Sequence, residues 1–425
     1  MPKNIRTILP RIFGLVCLLL AVSLSGFAQP KPIKDLQPTV ILISLDGFRF
    51  DYLQKYRPAN LNALATDGVR AKWMTPSFPS KTFPNHYTIA TGLYPQHHGI
   101  VENNMYDAGF NAVFRLDDRK EVVNSRWWLG EPIWVTAEKQ GQRSASVFYP
   151  GTEGEIAGIR SSFWKKYDSK LANDERVDSI LSWLDLPRDQ RPTFLSLYFS
   201  DTDDAGHAFG PISNETKNAV LKVDKDIGRL VRGLKAREIF SQINLIIVSD
   251  HGMASVNWRN AIVLDKFFDP KLADRVFWTR EIVSIFPKEG KEDEIFQALK
   301  RSLPPQARVY LKAEMPARFH YSQSPRIAPL LVLPAEGWIL TNRRAFAEME
   351  SKGELKKSRG GHGYDNLLPS MRAIFIAHGP AFKQRRVVAP FANIQVYNIM
   401  TRILGLKPAA NDGDYGAANS VLARR

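Results

Sequence analysis

Thiols are what this sequence most lacks: one cysteine, Cys17, in 425 residues. Cys17 sits inside an N-terminal apolar run, so beyond that run a disulfide framework, a thiolate metal centre and a cysteine nucleophile are all excluded. Any metal there has to be held by nitrogen and oxygen. No later stretch reaches 18 uninterrupted apolar residues, which argues against a membrane-spanning helix after the first 28 residues. Internal repeats and low-complexity tracts are also missing. At 44% hydrophobic and 24% charged, the composition excludes wholesale disorder and fibrous architectures. Negative charge is the scarcer sign, with 43 Asp+Glu against 58 Lys+Arg and a net charge of +15. That balance admits an anionic partner such as nucleic acid, a membrane surface or a phosphorylated small molecule, without choosing among them.

What is present starts with an export signal. Lys3, Arg6 and Arg11 precede the apolar run Ile12 to Leu24 and the small-residue site Gly26-Phe27-Ala28. This reads as a signal peptide over residues 1–28, with an uncleaved anchor as the alternative, and places the protein in the periplasm or outside the cell. Residues 29–38 carry three prolines and are expected to form a flexible leader. The runs Val40 to Leu45, Phe194 to Phe199, Asn244 to Val248 and Met371 to Ala377 have the texture of strands buried on both faces. Between the second and third, Val220, Val223, Ile227, Leu230, Val231 and Leu234 recur at helical spacing. That βαβ unit predicts an α/β fold with a mostly parallel central sheet and helices on both faces. The main domain is expected to occupy 39–259 and to return over 360–425. Shorter strand-like runs around a helix from Lys291 to Leu303 suggest an inserted small α+β subdomain over 260–359.

Three of the four strands end in acidic residues: Asp46-Gly47, Asp201-Thr202-Asp203 and Asp250-His251-Gly252. In an open parallel sheet the carboxyl ends of the strands form the ligand-binding edge, so these carboxylates can converge, and convergence of like charges calls for a cation. One Asp-Gly after a strand is ordinarily a turn, and one histidine beside glycine is ordinarily a loop residue. Here His207 follows Asp203 by four residues, His251 adjoins Asp250, and His362 lies in Gly360-Gly361-His362-Gly363. Asp46, Asp203 and Asp250 with these three imidazoles make a set sufficient for two divalent ions. Zinc suits mixed nitrogen and oxygen donors, whereas magnesium and calcium prefer oxygen alone. The segment Pro79 to His86 offers hydroxyls on a proline-fixed backbone, and Thr82 is the candidate nucleophile. Its other reading is a helix cap; the two are compatible, because a helix N-terminus stabilises an alkoxide and offers N–H groups to a phosphate.

Asp46-Gly47, Lys81 to His86, His98 to Asp107, Gly130-Glu131-Pro132-Ile133-Trp134, Asp203 to His207, Asp250-His251-Gly252-Met253 and Gly361 to Asn366 occur in the order seen in nucleotide pyrophosphatase/phosphodiesterases. The chain resembles that family, within the alkaline phosphatase superfamily, from about Pro38 to about Leu406. The resemblance implies an alkaline-phosphatase-like sheet and two zinc ions. Asp203, His207 and His362 would hold one; Asp46, Asp250, His251 and the Thr82 oxygen would hold the other. It further implies that Thr82 forms a covalent phosphothreonine and that nucleoside 5′-monophosphate is released. Asn103 and the Thr82 N–H would bind a non-bridging oxygen, and Phe83 and Tyr167 would stack on a nucleobase.

Rival readings are weaker. A threonine-dependent phosphomonoesterase needs extra cations, often as Lys-x-Arg, and Ser144 to Gly151 has none. Ser77-Phe78-Pro79-Ser80-Lys81 imitates a sulfatase motif, but the nucleophile position counted back from Thr91-Gly92 falls on Thr82. Choline-type phospholipid or glycerophosphodiesters remain an alternative substrate class. The positive charges are scattered, so the expected partner is a small phosphodiester and no stable nucleic-acid complex.

Overall fold

A computed structural model describes residues 30–423; residues 1–28, expected to be a signal peptide, lie outside the described residues. Eight strands form the central sheet in the order 386–388, 69–71, 375–378, 243–248, 39–45, 194–199, 144–147 and 163–165. Thr39–Leu45 lies inside it, every residue buried, parallel to both Phe194–Phe199 and Ile243–Val248. Such a strand must be apolar on both faces, which is why it reads as an unbroken Val/Ile/Leu run. Its residues alternate between two packed layers. Ile41, Ile43 and Leu45 meet Val177, Ile180, Val220, Val223, Ile227 and Leu230 from the helices Asn173–Leu184 and Asn214–Ala236. Val40 and Leu42 face the other layer, with Tyr87, Trp134, Val396 and Ile399. Each fully buried Ile or Leu in these layers contributes about 1.5–3 kcal/mol.

The chain passes from Phe194–Phe199 through the helix Asn214–Ala236 to Ile243–Val248, with Thr39–Leu45 between the two strands. All the strands that carry acidic ends therefore point the same way. One strand departs from the parallel pattern. The run Met371 to Ala377 becomes a 3-10 turn, Pro369–Met371, followed by Phe375–His378, which pairs antiparallel with both 243–248 and 69–71. The chain enters this strand from the carboxyl edge, beside Arg49 and Met74, and can only run back.

A second, four-stranded antiparallel sheet has the order 273–278, 283–287, 330–334, 307–311, and the helix Glu292–Ser302 covers it with Ile295, Phe296 and Leu299. The antiparallel pair Ala254–Asn257 and Ser358–Gly361 links its flanks to the main sheet. Within the stretch expected to be a flexible leader, two contacts reach the main domain. Ile33 is buried and its N–H donates to the Arg237 carbonyl at 3.0 Å, while Asp35 pairs with Arg191 at 2.8 Å. Among the described residues no helix is long and apolar enough to cross a membrane.

Candidate active site

The three strand ends open on one cleft. Asp46 follows Thr39–Leu45, Asp250 and His251 follow Ile243–Val248, and Asp203 and His207 lie one turn apart in the helix Asp201–Phe209. His362 arrives at the end of Ser358–Gly361, and Thr82 is the first residue of the helix Thr82–Thr91. Close approach here requires Gly47: its φ is +65°, and a Cβ would stand 2.9 Å from Asp203 Oδ1. Asp201, the other acid at its strand end, takes no part and is occupied by Lys222 at 2.5 Å and Asn173 at 2.9 Å.

Two donor clusters result, Asp203 with His207 and His362, and Asp46 with Asp250 and His251; within each, the ligand atoms lie within 4.8 Å of one another. His207 Nε2 is 3.4 Å from Asp203 Oδ2, and His251 Nε2 is 2.9 Å from Asp250 Oδ2 and 3.5 Å from Asp46 Oδ1. The clusters adjoin through the rings of His251 and His362, stacked with centroids 3.6 Å apart. The Thr82 hydroxyl is 3.4 Å from His251 Nε2. All three imidazoles donate Nδ1–H to a backbone carbonyl: His207 to Gly360, His251 to Gly252 and His362 to Ser80. That arrangement aims every Nε2 into the cleft, as histidines that ligate a metal are aimed.

The electrostatics ask for a cation. Asp46 Oδ1, Asp203 Oδ1 and Asp250 Oδ2 are buried without a hydrogen-bond partner. Burial pushes the Asp46 carboxyl well above the ordinary carboxylate range, and the Asp250 and Asp203 charges push it further. Burial acts on Asp250 too, but the facing His251 and His86 outweigh it and hold that carboxyl down. His362 is held well below the usual imidazole range by burial and by the neighbouring His251 and His207. The residues present therefore fit two divalent cations: buried carboxylates of one sign, three aimed imidazoles and no thiol.

The other sequence candidates line the same cavity, of about 290 Å³, which Asp46, Thr82, Phe83, Asn103, Tyr167, Asp203, His207 and His362 share. Asn103 Oδ1 accepts the Phe83 N–H at 2.9 Å, which leaves its amide Nδ2 as the group to offer a substrate. The Phe83 ring leans on Phe114 and Trp128, with centroids 5.9 and 6.0 Å away. Tyr167 is partly exposed and meets Phe148 edge-on at 5.2 Å.

Several supporting residues were not among the candidates read from the sequence. Tyr198 donates its hydroxyl to Asp46 Oδ2 at 2.5 Å, yet in the sequence it is one more apolar position of a buried strand. His86, one turn beyond Thr82, donates Nδ1–H to the Thr82 carbonyl at 2.8 Å and sets Nε2 2.8 Å from Ser44 Oγ. Glu102 accepts the Asn103 N–H at 2.8 Å. The i, i+4 spacing of Thr82 and His86 could have flagged the second of these.

A sequence model described as type I phosphodiesterase/nucleotide pyrophosphatase matches residues 40–365. Bovine ectonucleotide pyrophosphatase/phosphodiesterase family member 3 is 39% identical over 396 residues, covering 91% of this chain and 44% of its own length. A venom phosphodiesterase of Crotalus durissus collilineatus is 39% identical over 416 residues, covering 94% of this chain and 48% of its own. The chain thus spans about half the length of the curated relatives it matches. Among solved structures, murine ectonucleotide pyrophosphatase/phosphodiesterase 5 superposes with a TM-score of 0.84 at 31% identity, over 90% of this chain and 100% of that one. An inactive threonine-to-alanine variant of that murine protein, in complex with AMP, matches with the same score.

Proposed function

The chain belongs to the type I phosphodiesterase/nucleotide pyrophosphatase family, and on that premise we infer that it is an exported di-zinc enzyme hydrolysing nucleotide phosphodiester and pyrophosphate bonds and releasing nucleoside 5′-monophosphates. The observation that carries the reading is the set of three unpartnered, buried carboxylate oxygens facing three imidazole Nε2 atoms beside one hydroxyl. Mixed carboxylate and imidazole donors favour zinc. Asp203, His207 and His362 would hold one ion; Asp46, Asp250, His251 and Thr82 Oγ1 would hold the other. When bound, the two ions would supply Lewis acidity, lowering the pKa of the hydroxyl and neutralising charge on the attacking and departing oxygens.

The chain's own residues account for the rest. Thr82 Oγ1 attacks phosphorus, its bond forming as the bond to the leaving oxygen breaks, and the product is a phosphothreonine diester. Water then attacks the same phosphorus from the vacated side, freeing the nucleoside monophosphate and returning a proton to Thr82. The Asn103 amide and the Thr82 N–H at the helix start would hold a non-bridging oxygen through both steps. Phe83 and Tyr167 offer flat surfaces to a base. The cavity's charge favours diesters over monoesters. Apart from the histidines, the one cation among its described lining residues is Arg119, and Glu153 already pairs with it. A monoester dianion would find no free guanidinium or ammonium there. The murine relative's complex with AMP supports a nucleotide as substrate, and the basic and apolar N-terminal residues support export.

In zinc-loaded protein, Thr82→Ala should abolish hydrolysis of a p-nitrophenyl nucleotide diester, while Thr82→Ser keeps part of it. Parental rates in Thr82→Ala would overturn this reading. Faster turnover of choline lipids than of nucleotides would reassign the substrate.

A further inference from the structure

Behind the site, a buried ion pair joins two parts of the chain that are 200 residues apart. Lys81 Nζ donates to Glu281 Oε2 at 2.6 Å, with side chains only 8% and 7% exposed, and reaches the Thr279 carbonyl at 3.5 Å. Lys81 is the residue before Thr82, and Glu281 sits at the head of the second sheet, two residues before the strand Val283–Pro287. The pair passes beside both glycines that flank His362. At Gly363, where φ is +119°, a Cβ would overlap Lys81 Cε; at Gly361 it would stand 2.8 Å from Glu281 Oε1. Ser80 completes the lacing. Its carbonyl accepts His362 Nδ1–H at 2.9 Å and its hydroxyl donates to the Tyr364 carbonyl at 2.7 Å.

Desolvating two charges costs as much as their attraction returns, so a buried ion pair is poor value as a stability device, and packed apolar side chains would serve better. What it adds over such packing is a charge-assisted hydrogen bond between one donor and one acceptor, which ties the residue before Thr82 to the head of the second sheet. We propose that Lys81 and Glu281 are positioning residues, holding the Thr82 hydroxyl in register with His362 and so making the second sheet part of the catalytic apparatus. The proposal rests on Thr82 as nucleophile and His362 as metal ligand; neither Lys81 nor Glu281 touches the substrate.

The test compares parent, Lys81→Met, and the double variant Lys81→Met/Glu281→Met, all zinc-loaded. The single variant strands Glu281 and should melt earlier; the apolar double variant should recover the parental melting temperature. Positioning requires that kcat of the double variant nevertheless stay down, by about 10²-fold for a displacement near 1 Å, with KM little changed. Amide exchange at residues 80–83 and 361–364 should also be faster in the double variant than in the parent. Recovery of kcat together with stability, at parental exchange in those segments, would overturn the proposal. The exchange readout decides it even if Thr82→Ala shows the functional reading to be wrong.

Discussion

His207 and His362 present their Nε2 atoms to each other at 3.0 Å, and each ring is fixed there by an Nδ1–H bond to a backbone carbonyl. In the neutral rings two lone pairs face across that gap, with Asp203 Oδ1 3.6 Å from His362 Nε2. Such an arrangement is repulsive on its own and attractive around a cation.

Chelation should therefore cost stability as well as activity. Stripping metal leaves Asp46 and Asp203 crowded against Asp250 with no cation between them, so the melting temperature should drop and zinc should restore both properties. Metal analysis of Asp203→Asn should show fewer equivalents than the parent. An unchanged melting curve after chelation would count against both ion sites.

Asn103→Ala removes the amide that Oδ1 bonding to Phe83 leaves free. Loss of one donor to a developing oxyanion lowers kcat by about 10²- to 10³-fold. The effect should fall on kcat, with KM shifting far less; steady-state kinetics on one nucleotide diester separate the two.

Tyr167→Ala should raise KM for nucleotide diesters by about 10-fold, the order expected for one stacked base. A diester without a base, such as bis-p-nitrophenyl phosphate, should be affected far less. Equal losses on both substrates would mean that Tyr167 does not meet the base.

His98 gives the molecule an acid sensitivity away from the cleft. Burial takes its pKa from 6.5 to about 3, and its Nδ1 accepts the Ile100 N–H at 3.2 Å, so protonation means losing that bond. The folded value lies below the unfolded one. The contribution is thus complete above about pH 6.5 and fades as pH falls towards 3, by up to an order of 5 kcal/mol. Urea unfolding free energies measured from pH 4 to pH 7 should rise with pH, and His98→Gln should flatten the slope.

The cleft was readable from sequence because its carboxylates stand where buried strands stop. Asp46, Asp203 and Asp250 each interrupt or follow an apolar run, and in a parallel sheet those endings share an edge. Partners that reach the site from inside a strand or across the fold left no comparable mark. Tyr198 looks like core until its hydroxyl is found on Asp46, and Lys81 meets Glu281 only because two sheets pack together. The direction of Phe375–His378 was equally hidden, since an apolar run reads the same in either sense. Among the prolines of residues 29–38, nothing in the sequence marked Ile33 as the side chain with a place in the core.

That reversed strand also governs how the protein can be cut and in what order it can be assembled. Residues 69–71 reach the rest of the sheet only through Ile376 and Ala377, with 386–388 outside them. A fragment stopped at residue 365, where the family match ends, would carry every candidate ligand and still leave Ile247 facing a missing neighbour. Such a truncation should yield an aggregating polypeptide, and a nascent chain cannot join residues 69–71 to the rest of the sheet until residue 378 has followed.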